Sequence, residues 1–350
     1  MEFGEKWAIL FGPSNYSRVR QLSFSTKDVK DVGASFQKYL DFQEDHILPF
    51  GDGLKYPPTR ADFYQNLSGF LKSGLVKPDH LLVFYFSGHG VRDKKDYLLP
   101  IEAAPNDLAR TGIDVDDLVG QLVDTGCKNV VMFIDACREA ISGQKGALGF
   151  GEHSKGVLER VAERAAVVTF FSCDPTDMSY EIPELKNGSF THCLLKAIES
   201  GKYETVGQVY DYLLKELPST NALHGKPPQK PYAIIIPNEK RELPFFFSVL
   251  HKQQEQAEYD SLKECLGDFI INDKVDSKYW PCLNFAIIFL ESVKKSGMRD
   301  EDKPRLRNIK RFCDGELEAE PFKVFWDLYE RRQNSLSGSP KTNTGLEPLK

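Results

Sequence analysis

His80 to Gly90 reads HLLVFYFSGHG. Leu81 to Phe86 is a continuous apolar run rich in aromatic and β-branched residues, which predicts a strand buried on both faces of a parallel sheet. The strand is predicted to stop at Ser87-Gly88-His89-Gly90, a tight loop. In open α/β sheets, ligands bind at such C-terminal strand ends. Taken alone, His89 reads as a loop histidine satisfied by local hydrogen bonds.

A second stretch, KNVVMFIDACR from Lys128 to Arg138, changes that reading. Val130 to Ile134 is again a short apolar strand, and it too ends in reactive side chains, Asp135 and Cys137. Two neighbouring strands would bring a histidine and a cysteine to one sheet edge. Nucleophilic cysteine chemistry needs that pairing. An imidazole takes the thiol proton, the thiolate attacks a carbonyl, and the imidazole then protonates the leaving amine.

Tyr85-Phe86-Ser87-Gly88-His89-Gly90 and Asp135-Ala136-Cys137-Arg138 resemble the two catalytic motifs of the caspase-like cysteine peptidases. In caspases the histidine stands about 50 residues before the cysteine; here the gap from His89 to Cys137 is 48. The caspase Gln-Ala-Cys is Asp-Ala-Cys in this chain. That resembles metacaspases, paracaspases and their bacterial relatives more than animal caspases. The resemblance covers roughly residues 1 to 243 and implies a His89–Cys137 dyad. It also implies an oxyanion hole built from the backbone N–H groups of Cys137 and Gly90, fixed dipoles aimed at the developing charge.

The resemblance further implies a substrate pocket. Asp135 lies two residues from the nucleophile, where a carboxylate would pair with a basic P1 side chain and repel an acidic one. In metacaspases the corresponding aspartate lines an S1 pocket selective for Arg or Lys. Asp28, in FSTKDV, resembles a second pocket acid of that group, and it reads equally as a helix N-terminal charge. Ser87 matches a pocket serine. Asp174 and Glu181, in FFSCDPTDMSYE, resemble the other pocket wall. Cleavage is therefore expected after Arg or Lys. Arg138 does not match the arginine of the animal caspase pocket that binds Asp.

Composition sets the frame. The chain has 350 residues, enough for about two domains, with 41% hydrophobic and 27% charged residues. The net charge of −6 gives no electrostatic case for nucleic acid. No apolar run approaches the ~18 residues of a membrane span, and the N-terminus lacks the apolar core of a signal peptide. Seven cysteines without CxxC pairs argue against a disulfide framework or a zinc site and favour a reducing cytoplasm. Asp114, Asp116 and Asp117 resemble part of the calcium-binding acidic cluster of some metacaspases. The stretch EAISGQ after the nucleophile lacks the further acid of that pattern, and the cluster reads more often as a helix-start charge group, so no cofactor is expected, with calcium as the weaker alternative.

Along the chain, strands are predicted at Trp7–Phe11, His46–Phe50, Tyr97–Pro100, Arg164–Phe171 and Pro231–Ile236. Helices are predicted at Thr26–Leu40, Thr59–Leu71, Asp114–Val123, Ser189–Glu199 and Val206–Leu217. Alternation of strands and helices predicts an α/β fold, a mostly parallel sheet sandwiched by helices in the caspase-like manner. Residues 139–163 read as a glycine-rich surface loop at the position of the caspase inter-subunit linker, and Lys145, Lys155 and Arg160 are candidate self-cleavage sites there. Residues 244–260 read as a linker. Residues 261–332 read as a small all-α module that binds a regulatory protein or another copy of the chain, with Pro304 and Pro321 at helix starts. Residues 333–350 read as a flexible tail. The function expected is a cysteine endopeptidase acting on protein substrates in a cell-death or defence pathway. The competing reading is a non-catalytic caspase-like scaffold. A hydrolase using Ser87 is disfavoured because no GxSxG elbow surrounds it.

Overall fold

The computed structural model describes residues 3–138, 167–174, 178–245, 249–299 and 302–323, with the backbone alone at 137–138 and 249–255. The strands are β1 (Lys6–Gly12), β2 (Ile47–Gly51), β3 (Leu81–Arg92), β4 (Asp96–Leu98), β5 (Ile113–Asp114), β6 (Val130–Arg138), β7 (Val167–Phe171), β8 (Glu181–Ile182), β9 (Asn187–Gly188) and β10 (Tyr232–Ile235). The main sheet runs β10-β7-β6-β3-β1-β2. The five strands from β7 to β2 are parallel, and β10 is antiparallel to β7. β4 pairs antiparallel with β3 and carries β5, while β8 and β9 form a separate hairpin.

The apolar runs explain why this sheet is buried on both faces. Ile9, Phe84, Phe86 and Met132 project to one face, and Leu10, Tyr85 and Phe133 to the other. The first face is covered by α2 (Arg60–Lys72) and α4 (Val115–Val123), through Phe63, Leu67, Leu118 and Leu122. The second is covered by α1 (Ser25–Leu40), α5 (Ser189–Ser200) and α6 (Val206–Leu223), through Val29, Phe36, Leu194, Ile198 and Leu213. Removing each such side chain from water contributes roughly 1.5–3 kcal/mol. Thr59 caps α2 by accepting from the Asp62 N–H, and Thr205 with Gln208 forms a capping box on α6, both at predicted starts.

Three differences from the sequence reading have physical causes. First, β3 does not stop at Ser87 but runs to Arg92, and β6 runs through Cys137 to Arg138. Ser87 to Gly90 is therefore strand, not loop, and Asp135 to Arg138 continues its strand. Gly88 permits this, since a Cβ there would stand 2.6 Å from the Tyr16 hydroxyl. Second, α6 passes through Pro218 to Leu223 instead of ending at Leu217. Its last turn is held from outside the helix by Asn221, whose amide donates to Pro227 O and Gln229 Oε1. Such anchoring offsets the missing proline N–H. Third, the hairpin β8–β9 carries too few residues for a period-2 signal and was not predicted.

Residues 249–260, read as part of a linker, are helical. They belong to α7 (Val249–Ile271), which is followed by α8 (Trp280–Ser296) and α9 (Lys303–Cys313). A short α3 (Leu108–Thr111) precedes β5. The chain divides into compact units at 1–250 and 251–350. The helical unit has its own core, with Tyr259, Leu262, Leu266, Leu283, Leu290 and Phe312 buried together. Buried Asp302 accepts from Arg299 and Arg305 at the start of α9. Among the described residues, no helix is long and apolar enough to cross a membrane.

Candidate active site

β2 lies on one side of β1 and β3 on the other, so the order of connection reverses there. The C-terminal ends at such a switch point form the natural crevice of an open sheet. The segment after β1 folds over that end. Tyr16 and Leu22 bury against Val91, Tyr97 and Leu99, which places Tyr16 and Arg20 beside the end of β3.

His89 is 1% exposed. Its backbone N–H donates to the Tyr16 hydroxyl at 3.0 Å, and the Tyr16 hydroxyl donates to Leu99 O at 3.2 Å. The Tyr16 ring packs on the imidazole with centroids 4.7 Å apart. His89 Nε2 lies 2.8 Å from Arg20 O. A carbonyl only accepts, so Nε2 carries the proton and Nδ1 the basic lone pair. In the β3–β6 ladder His89 is the register partner of Cys137, Ser87 of Asp135, and Gly90 of Arg138. Adjacent strands stand about 4.8 Å apart, so the backbone alone brings His89 and Cys137 side by side.

Strand alternation puts Tyr85, Ser87 and His89 on one face of β3, the face that α1 and α5 cover. There the structure brings together Asp28, Ser87 and Asp135. Ser87 Oγ donates to Asp28 Oδ2 at 2.8 Å. Asn187 Nδ2 donates to Asp28 Oδ1 at 2.9 Å and to Asp31 Oδ2 at 2.8 Å. Ser179 and Thr191 hydroxyls donate to Asp135 Oδ1 and Oδ2, each at 2.8 Å. The Tyr85 hydroxyl lies 2.6 Å from that of Thr191. Gly188 is the floor between the acids: a Cβ there would meet Asp135 Oδ2 at 2.7 Å and Asp28 Oδ2 at 3.3 Å.

Asp28 and Asp135 are 1% and 2% exposed. Burial holds the Asp28 carboxyl well above its ordinary range, the Asp135 charge adds to this, and hydrogen bonds from Asn187, Ser87 and Gly188 only partly offset it. Burial also raises Asp135, against the hydrogen bonds of Ser179, Thr191 and Ser172. Among the described residues no lysine or arginine pairs with either acid. The result is a pair of buried acids with hydrogen-bond donors but, among the described residues, no cation beside them.

Burying the two acids side by side costs the fold stability. The folded Asp28 carboxyl holds its proton more tightly than the unfolded one, so its contribution is fully present below the unfolded value of about 3.9 and is lost as pH rises through the folded titration. Asp28→Asn relieves the repulsion and keeps the network, because an amide oxygen can accept from Asn187 and Gly188 while the amide nitrogen donates to Ser87. We expect the variant to melt a few degrees above the wild type at neutral pH, the size of about 1 kcal/mol in a chain this long. The gap should close in acid. Equal melting temperatures from pH 4 to pH 8 would contradict the paired burial.

The remaining predicted residues are placed elsewhere. Glu181 does not join the pair; its oxygens accept from the Ser23 and Phe24 N–H groups at 3.0 and 2.7 Å, pinning the start of α1. Asp174 is exposed after β7, its N–H donating to Lys230 O. Asp114 caps α4, accepting from the Asp116 and Asp117 N–H groups, and also pairs with Lys95 at 2.6 Å. No metal-holding group of His, Cys, Asp and Glu occurs among the described residues. Lys145, Lys155 and Arg160 lie outside the described residues. Sequence reasoning missed Tyr16, Arg20, Ser179, Asn187, Gly188, Thr191 and Gln229. Only Asn187-Gly188 carried a signal, as a turn dipeptide before a helix. The other cysteines described, Cys127, Cys173, Cys193, Cys265, Cys282 and Cys313, form no disulfide. Burial pushes the Cys193 thiol up to about 12, the mark of an inert sulfur.

A family model described as "Caspase domain" matches residues 5–253. Metacaspase-2 of Arabidopsis thaliana is 25% identical over 243 residues, covering 62% of this chain and 56% of the relative. Metacaspase-1 of Plasmodium falciparum is 23% identical over 235 residues, covering 61% of this chain and 37% of the relative. The chain thus spans about half or less of the length of these curated relatives. Among solved structures, caspase-1 from Spodoptera frugiperda matches with a TM-score of 0.42 at 12% identity, covering 67% of this chain and 88% of that one.

Proposed function

The chain belongs to the caspase-domain family, and from that premise we propose that it is a cysteine endopeptidase that cleaves protein substrates after Arg or Lys. The observation that carries the specificity is the buried pair Asp28 and Asp135 around Gly188, on the face of β3 that holds His89, with no basic partner among the described residues. A guanidinium or ammonium entering between them would satisfy both charges. An acidic P1 side chain would meet two like charges in a poorly solvated site.

In the proposed reaction His89 Nδ1 takes the proton of Cys137 and the thiolate attacks the scissile carbonyl. The backbone N–H groups of Gly90 and Cys137 receive the developing oxyanion. The imidazolium then protonates the leaving amine, and water hydrolyses the acyl-enzyme. Arg20 O holds the Nε2 proton throughout, so Nδ1 remains the working nitrogen. The steps need no cofactor, and a reducing compartment keeps the thiol available. The helical unit is proposed to bind a regulatory protein or a second copy, and Lys145, Lys155 and Arg160 are proposed self-cleavage sites of an enzyme with this preference.

The test is peptide hydrolysis with Arg, Lys or Asp at P1, with and without calcium, alongside labelling by a peptidyl-arginine chloromethyl ketone. Turnover of the Arg and Lys peptides, and a label on the peptide containing Cys137, are expected. Turnover of the Asp peptide alone would overturn the specificity. A folded chain that neither turns over substrate nor takes the label would favour the scaffold.

A further inference from the structure

Gln229 is fully buried just before β10, and every hydrogen-bonding capacity of its amide is used. Nε2 donates to Ser172 O at 2.7 Å and to Ser179 Oγ at 3.2 Å. Oε1 accepts from Ser189 Oγ at 3.0 Å and Asn221 Nδ2 at 3.1 Å. The amide cannot be turned round. Ser172 O is a carbonyl and only accepts, so the nitrogen must face it. Asn221 donates its other amide proton to Pro227 O at 3.3 Å, which fixes its nitrogen toward Oε1.

This orientation decides the direction of the next bond. Because Gln229 donates to Ser179 Oγ, the Ser179 hydroxyl proton is left to point at Asp135 Oδ1, 2.8 Å away. The same amide bridges Ser172 and Ser179, which are seven residues apart in the sequence after β7. We propose that Gln229 is a positioning residue for the S1 pocket: through Ser179 it keeps a donor aimed at Asp135 and so keeps that carboxylate ready for a basic P1 side chain. The inference rests on the reading of Asp28 and Asp135 as a basic-P1 pocket and goes beyond it. It places a specificity determinant on a fully buried side chain and gives its polar contacts with α5, α6, Ser172 and Ser179 one shared purpose.

The relay makes a demand that simple structural support does not. Without Gln229, the Ser179 hydroxyl is free to rotate away, Asp135 loses a donor to its charged form, and its proton is held to higher pH. Binding of a cation should weaken, and its pH midpoint should move up. The effect should vanish where Ser179 is already absent.

Binding of benzamidinium, a mimic of the P1 guanidinium that needs no turnover, should be followed by calorimetry on the full chain from pH 5.5 to pH 8.5. Gln229→Met keeps length and volume without polar atoms. It should weaken binding about tenfold, the scale of a hydrogen bond to a charged group, and raise the midpoint. Ser179→Ala should do the same, and the double variant should be no weaker than either single one. Wild-type affinity and midpoint in Gln229→Met would overturn the inference, as would additive losses in the double variant. If Gln229→Met does not fold, Ser179→Ala decides: an unmoved midpoint there overturns the relay. The two readings fail separately. If wild type does not bind benzamidinium, or Asp135→Asn binds it equally well, the basic pocket itself is wrong. If Asp135→Asn loses binding while Gln229→Met does not, only the relay is wrong.

Discussion

Cys137→Ala and His89→Ala should each lose about 10³-fold or more of the wild-type kcat/KM toward Arg and Lys peptides. The two residues occupy partner positions of one ladder, so the pair is held by main-chain hydrogen bonds and not by a flexible loop. That rigidity is why a single truncation should be so costly: no neighbouring residue can move in to replace the missing group. The losses should not add, because base and nucleophile act as a unit, and the double variant should fall no further than the worse single one. His89→Ala should retain the fold, since its main-chain bonds to Tyr16 and Leu99 persist. Steady-state kinetics with circular dichroism as the folding control would decide this. A variant retaining more than about a tenth of the activity would remove that residue from the proposed chemistry.

Asp135→Asn should lower kcat/KM for Arg and Lys peptides by roughly 10²- to 10³-fold, the consequence of truncating one partner of a desolvated charge pair. The substitution is isosteric: the amide oxygen can still accept from Ser179, and the Thr191 hydroxyl can turn to the Tyr85 hydroxyl and accept from the amide nitrogen, so the loss reports charge and not collapse. Alkylation of Cys137 by iodoacetamide should proceed at the wild-type rate, because the reagent does not use the pocket. The pH dependence separates the effects further. Burial raises the Asp135 carboxyl, so wild-type kcat/KM for basic substrates should climb as pH rises through that titration, and the variant should lack the step. Undiminished Arg cleavage by Asp135→Asn, at any pH, would move the specificity to other residues.

The sheet and its cover were legible because their signals are local. Apolar runs such as Leu81–Phe86 and Val130–Ile134 need burial on both faces. Thr59 and Asp114 announce helix starts through side-chain caps that any sequence of that form can make. The two motifs, with their spacing, were also legible, since the residue types and their order along the chain are written in it. Even so, the sequence placed Ser87 to Gly90 on a loop, because Gly reads as a strand breaker. Only the packed Tyr16 hydroxyl shows why strand geometry with glycine at 88 is preferred.

What tertiary structure alone decided is the company each side chain keeps. Asp28 could have been a surface charge at a helix start; it is buried because α1 crosses the end of β3 and β9 closes over it. Glu181 resembled a pocket acid and instead holds the N-terminus of α1. Gln229 had no signal at all, being one polar residue in a loop more than 90 positions from Asp135. Its role exists only because Ser172, Ser179, Ser189 and Asn221, scattered along the chain, converge on one amide. Period and propensity reach a few residues along the chain. Hydrogen bonds of this kind join residues that are distant in sequence, and a sequence read alone has no ruler for that distance.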